Sequence, residues 1–197
     1  MTEVQARPGR PRSADVDRAI IGATLDLLVD EGYNALTVEA VAARAGVGKT
    51  TVYRRWANKD ELIADALSSV NDELMPVPTE GTVRERLVVL LEHVRLRVPE
   101  TFSGRIMPRM VAYARSHPEL YELYTQRVLE PRRDRLRGLL REGVASGELR
   151  PDLDVDVATS CFVAPILYTS LVLCSGSPAP AGLSEKVVDL VLDGAAS

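Results

Sequence analysis

The stretch from Leu36 to Leu62, LTVEAVAARAGVGKTTVYRRWANKDEL, constrains this chain more than any other part of it. It reads as a helix, a tight turn, a second helix and the start of a third. Thr37 precedes Val38, Val41, Ala42 and Ala45, the i, i+3, i+4, i+7 spacing of an amphipathic helix, and can serve as its N-cap. The repeat stops at Gly46, which takes a positive φ at little cost, and Val47 can plug the corner between the helices. The next helix, Lys49 to Trp56, puts Val52 and Trp56 four apart on an inward face. Lys49, Thr50, Thr51, Tyr53, Arg54 and Arg55 are left for the other face. Trp56 could stack on a base, but its spacing from Val52 makes it core. Asn58 followed by Glu61 is an Asn-x-x-Glu helix start resembling a capping box. Such a pattern presents a short helix to the major groove of DNA while pinning it to a core.

The local charge agrees. Arg44, Lys49, Arg54, Arg55 and Lys59 are five cations with no acid among them between residues 44 and 59. A charge run is most often just a solvated face. Here the turn glycine, the hydroxyls and the inward Trp56 all fall in register with it. The whole chain carries a formal net charge of −4, which is no objection, because electrostatic affinity depends on charges near phosphates.

Residues 15–66 resemble the DNA-binding domain of the tetracycline-repressor (TetR) family of bacterial transcriptional regulators. The matching residues are Glu31-Gly32-Tyr33, Leu36-Thr37-Val38, Ala45-Gly46-Val47, Thr51-Val52-Tyr53, Trp56 and Asn58-Lys59-Asp60-Glu61-Leu62. Trp56 stands where the family usually has Phe, and Gly48 where a serine N-cap is common. The resemblance implies that Lys49, Thr50 and Thr51 reach base edges from the first turn of the recognition helix. It implies a phosphate contact for Tyr53 and for Thr37, while Arg54 is a backbone contact or a spare. Arg55 is expected to read a base, a guanine through its bidentate fork. Lys59, at the start of the fourth helix, adds its charge and that helix's dipole to a phosphate.

Ahead of the first helix, whose stripe holds Val16, Ile20 and Leu27, lies an arm, Arg7-Pro8-Gly9-Arg10-Pro11-Arg12. Two prolines and a glycine keep it from being helical. Its Gly-Arg-Pro-Arg core is similar to an AT-hook, which lays arginines, here Arg10 and Arg12, into a narrow minor groove. A disordered, solubilising tail is the equal alternative.

The 197 residues suffice for two domains. The expected division is a flexible basic arm over 1–13, a helix-turn-helix domain over 14–66 and a helical effector-binding and dimerisation domain over 67–197. No sustained period-2 stretch or hairpin signal occurs, so the fold class is all-α: a three-helix DNA-binding domain plus a larger helical domain. Helices are expected over Val83 to Val98, around Arg105 to Arg115, and from Pro118 to about Ala145 with a kink at Pro131. A last pair runs from Asp154 to Cys174 and from Ser184 to Leu192.

Val157 to Cys174 holds 18 residues without a charge, the lower limit for a membrane span. Thr159, Ser160, Pro165, Thr169 and Ser170 dilute it, and Asp152, Asp154 and Asp156 precede it, so a buried helix fits better than membrane insertion. The family resemblance implies that the last two helices pack against their copies in a two-fold dimer. Val187, Val188, Leu190 and Val191 suit that interface. The polar, proline-rich N-terminus lacks a signal-peptide pattern, and Cys161 and Cys174 lie 13 apart in one helix, about 20 Å, so they cannot pair. A cytoplasmic protein with reduced cysteines is expected. His93 and His117 are isolated, and no metal or cofactor is expected.

No catalytic residues stand out. Gly46 to Thr51 reads GVGKTT, but the first P-loop glycine would fall at Ala43, and no strand precedes it. A helical enzyme is therefore the remotest alternative, and an architectural DNA-binding protein would not need so large a second domain. In the family that domain encloses a pocket whose small-molecule effector changes the spacing of the reading heads. The pocket walls proposed from the sequence are Leu90, His93, Val94, Met107, Met110, Val111, Tyr113, Tyr124, Phe162, Pro165 and Tyr168, each of which could equally be ordinary core. The expectation is a homodimeric repressor that binds a pseudo-palindromic double-stranded DNA operator and is released by a small, lipophilic effector.

Overall fold

The computed structural model describes residues 12–73, 77–97 and 101–194. They are all-α, with ten α-helices and no strand among them. Backbone contacts divide the chain into two compact units, Met1–Ala66 and Leu67–Ser197.

The first unit holds α1 (Arg12–Asp30), α2 (Val38–Ala45), α3 (Lys49–Tyr53) and most of α4 (Lys59–Ser69). Ile20, Leu27 and Leu28 of α1 are buried together with Val41, Val52 and Ile63 from the other three helices. Thr37 caps α2, its hydroxyl accepting from the Ala40 N–H at 3.1 Å. Gly46 ends it at φ 68°, and the Gly46 and Val47 N–H groups close back on the carbonyls of Ala43 and Ala42. That pair of bonds needs a left-handed residue, which glycine supplies without a Cβ penalty. α3 stops at Tyr53, three residues earlier than its apolar spacing suggests, although the Trp56 N–H still reaches the Val52 carbonyl at 3.0 Å. The chain has to leave the helix there to build the start of α4. Asn58 Oδ1 accepts from the Glu61 N–H at 2.8 Å, and Glu61 reaches back to the Ala57 N–H at 2.7 Å. Trp56 is buried, and its indole N–H donates to Asp65 at 3.0 Å, so it is core with a satisfied polar edge.

The second unit holds α5 (Val83–Arg97), α6 (Phe102–Tyr113), α7 (Pro118–Tyr124), α8 (Glu130–Ser146), α9 (Val155–Tyr168) and α10 (Leu183–Asp193). Its main core joins Leu87 and Leu91 of α5, Leu136 and Leu140 of α8, Phe162 and Ile166 of α9, and Val188 of α10. Thr82 and Glu85 cap the start of α5 reciprocally. Asp154 caps α9 by accepting from the Asp156 and Val157 N–H groups.

Between α7 and α8 the helix does not simply kink at Pro131. A π turn, Thr125–Leu129, comes just before it. Proline has no N–H to give the carbonyl one turn back, at Arg127. That carbonyl instead accepts from the Asn71 side chain at 2.6 Å. A second π turn, Thr169–Leu173, follows Pro165 at the end of α9. On α5, Arg95 is buried. It donates to Glu92 at 2.8 and 2.6 Å and to the Ala179 carbonyl, while Ser184 of α10 also donates to Glu92 at 2.9 Å. The Arg95 guanidinium therefore holds the Glu92 carboxyl below the usual carboxylate range, against the opposing effect of burial.

Val155–Leu173 is long and apolar enough to cross a membrane by length and composition alone. Ala158, Phe162 and Ile166 nevertheless face the unit's own core, the arrangement of a core helix. Replacing Phe162 with Ala should cost about 3–5 kcal/mol through lost burial and a residual cavity. A urea unfolding series followed by circular dichroism should show the shift.

Candidate functional site

Two places carry chemistry, one in each unit. In the first, Gly46 turns the chain so that α3 packs through Val52 and leaves Lys49, Thr50, Tyr53 and Arg54 exposed. Thr51 is half-buried beside them, and Thr37, besides capping α2, is exposed. Lys49 Nζ lies 2.9 Å from Glu39 Oε1, and this hydrogen bond holds the Glu39 carboxyl below its ordinary range. Both side chains are more than half exposed, so the pair is weak and readily exchanged for another partner. The Arg54 N–H donates to the Thr50 carbonyl at 3.1 Å, and its exposed side chain makes no hydrogen bond or ion pair with another described residue.

Arg55 departs from the sequence expectation. Its guanidinium pairs with Asp17 of α1 and donates to the Thr51 carbonyl at 3.1 Å, and its side chain is only 16 % exposed. The fork expected to read guanine is thus turned inward, tying the recognition turn to the first helix. Lys59 differs in the same way. Its ammonium donates to the Tyr33 carbonyl at 2.7 Å and lies 3.7 Å above the Tyr33 ring. Burial pushes its proton affinity below the usual lysine range, with Asp60 opposing. Arg44 is paired with Glu31 at 2.6 Å. Arg10 and the rest of the arm through Pro11 lie outside the described residues, and Arg12 opens α1.

The second place is a cavity of about 400 Å³ in the second unit, walled by α5, α6, α7, α8 and α9. Leu90, His93, Val94, Met107, Val111 and Tyr124 line it. Five other residues expected there do not. Met110 and Phe162 are fully buried in packed core, and Tyr168 is 56 % exposed. Tyr113 packs edge-on against His117 at 5.4 Å, and Pro165 lies off the wall. The side chains missed from the sequence include apolar ones such as Leu136 and Val163 and a polar set: Arg97, Arg132, Arg133 and Arg135, with Ser103 and Thr159. The π turn before Pro131 changes the helical phase at which α8 meets its neighbours, so a run of Arg132, Arg133 and Arg135 that reads as solvated surface reaches the cavity. Burial, with Arg97 and Arg135 adding to it, lowers the His93 proton affinity. Burial also pushes the Tyr124 phenol up to about 12.

The apolar residues assigned to an interface also separate. Val187 and Val188 are buried in their own unit's core, and Val191 packs against it, whereas Leu190 is 59 % exposed. Val157, Tyr168 and Val172 of α9 and its π turn are exposed as well. The interior positions of α10 cannot serve a partner because they already fill this core.

Two family descriptions match the chain. Residues 20–66 match the bacterial regulatory proteins of the tetR family, and residues 77–191 match the tetracyclin repressor-like C-terminal domain. The uncharacterized HTH-type transcriptional regulator YdeS of Bacillus subtilis is 34 % identical over 169 residues, 86 % of this chain and 85 % of its own. A solved TetR family transcription regulator with 30 % identity superposes with a TM-score of 0.68 over 93 % of this chain and all of its own. The transcriptional regulator FadR of Bacillus subtilis, solved in complex with stearoyl-CoA, shares the fold at TM-score 0.72. It is 21 % identical over 91 % of this chain and 99 % of its own.

The Arg55–Asp17 pair generates a prediction. Arg55→Ala should weaken binding to all DNA sequences alike rather than relax one base position. A double-mutant cycle with Asp17→Ala should give a coupling of about 0.5–1 kcal/mol in stability, discounted for the exposed carboxylate. Loss of discrimination at a single base pair in the Arg55→Ala protein would restore the base-reading role.

Proposed function

The chain belongs to the TetR family of bacterial transcription regulators, DNA-binding proteins of helix-turn-helix type, and on that premise we propose that it is a homodimeric repressor released by a small molecule. The observation that carries the reading is the presence of an exposed α3 face in the first unit and a cavity in the second. Lys49, Thr50 and Thr51 contact base edges, and Tyr53, Arg54 and Thr37 contact phosphates. Arg55 and Lys59 act as positioning residues, the first by fixing α3 to α1, the second by fixing the start of α4 to Tyr33.

The operator is a pseudo-palindrome, because a two-fold dimer presents two copies of α3 to half-sites about one helical turn, ~34–36 Å, apart. The dimer forms through the outer side of α9, where Val157, Tyr168 and Val172 are exposed, together with Leu190. An effector in the cavity favours a conformation with a different head spacing. By linkage it lowers DNA affinity by the factor by which DNA lowers its own. The effector is largely apolar, as the Leu90, Val94 and Met107 side of the wall requires. The protein works in the cytoplasm, where its operator is.

Selection of bound duplexes from a random pool at two salt concentrations tests the reading. An enriched inverted repeat is expected. Salt-sensitive binding without any motif would instead indicate an architectural protein. On the selected operator, Arg54→Ala should weaken all sequences equally and lower the slope of log affinity against log salt by about one.

A further inference from the structure

The cavity wall carries the guanidinium groups of Arg97, Arg132, Arg133 and Arg135, and no Asp or Glu belongs to it among the described residues. Arg133 is answered by Glu130 at 3.0 Å outside the wall, and Arg97 is exposed. Arg132 is different. It is half-buried, burial lowers its proton affinity, and its hydrogen bonds go only to neutral oxygens: Nε to Asn71 Oδ1 at 3.2 Å and Nη2 to Ser103 Oγ at 2.7 Å. No carboxylate among the described residues pairs with it. A guanidinium has five donors and cannot shed its charge, so a half-buried one without an anion keeps donors and charge available to a bound acceptor.

Tyr124 lies close enough to Arg132 for each to shift the other's proton affinity. Its ring is fully buried, it lines the same cavity, and its hydroxyl finds no hydrogen-bond partner in the protein. A buried phenol without a partner costs free energy that a bound acceptor would recover. Leu90, Val94, Leu136 and Val163 give the same wall an apolar side.

We propose that the cavity takes a carboxylic acid with an extended apolar body, its carboxylate held by the Arg132 guanidinium beside Ser103 and Tyr124. This assignment rests on the reading of the cavity as an effector site and gives that site a chemical class. One guanidinium flanked by two neutral hydroxyls matches a single negative charge, and the planar fork matches a carboxylate bidentately.

The test uses three probes on the full-length protein: dodecanoate, dodecan-1-ol and dodecanoyl-CoA, titrated calorimetrically. Dodecanoate should bind about tenfold or more tightly than the alcohol, as expected for a charge-assisted hydrogen bond in a buried site. Arg132→Met should remove that preference and bring the acid to the alcohol's affinity. Tyr124→Phe deletes only the orphan hydroxyl. It should leave thermal stability unchanged or raised, keep alcohol binding, and weaken the acid by roughly threefold or more. This variant keeps the assignment testable should Arg132→Met fail to fold.

Equal binding of acid and alcohol would overturn the carboxylate site, as would an acid preference that survives Arg132→Met and Tyr124→Phe. So would binding confined to the thioester with no dependence on Arg132. Repeating the titrations with the selected operator duplex separates the two levels. Acid-selective binding without operator release would support the carboxylate site and overturn the effector reading. Operator release by acid and alcohol alike would do the reverse.

Discussion

A helix of five residues cannot hold its shape in water, because nucleation costs more than so few hydrogen bonds return. Everything in the first unit follows from that constraint on α3. Gly46 supplies the left-handed turn, Val52 and Trp56 bury the inner side, and the Asn58–Glu61 cap pulls the chain straight into α4. Arg55 completes the attachment by reaching Asp17 on α1, 38 residues earlier in the chain. The outer side chains are then displayed by a frame that they do not themselves support. The same constraint explains why the spacing of Val52 and Trp56 overstates the helix: both are anchors, but the residues between them already serve the exit.

How much of this was legible in the sequence depended on the range of the interactions. Caps and turns are local, so Thr37, Gly46 and the Asn58 cap could be read directly, and so could the inward Trp56. The direction of a long cation is not local. Arg55 and Lys59 looked like free charge until Asp17 and Tyr33 came within reach of them in three dimensions. Among the cavity residues, the apolar ones on α5 and α6 could be anticipated from their helical phase. The arginines of α8 could not, because a π turn shifts the phase of everything after it and a period of 3.6 cannot foresee that shift. Val187 and Val188 show the remaining ambiguity. Apolar residues on a last helix suit an interface and a core equally, and only packing against Leu87, Phe162 and Leu140 decides for the core.

In the second unit Pro131 and Pro165, unlike Pro108 inside α6, are accompanied by the same device. Pro131 is preceded, and Pro165 followed, by a turn of wider winding. In the first case the carbonyl released by the proline is not left bare: Asn71 takes it up, and Asn71 in turn accepts from Arg132. One proline is thereby connected, through two side chains, to the charged group in the cavity wall. The polar side of that wall is thus joined, through Asn71, to the repair of a helix.

The separation of anchors from displayed side chains in the recognition turn has a consequence for how such a chain diverges. Lys49, Thr50, Tyr53 and Arg54 touch the core so little that exchanging them leaves Val52, Trp56 and the Arg55–Asp17 tie intact. A duplicated copy could acquire a new target by drift at a few surface positions while its folding stayed untouched. Regulators of this architecture can therefore multiply within one genome without each new copy having to rediscover a stable fold.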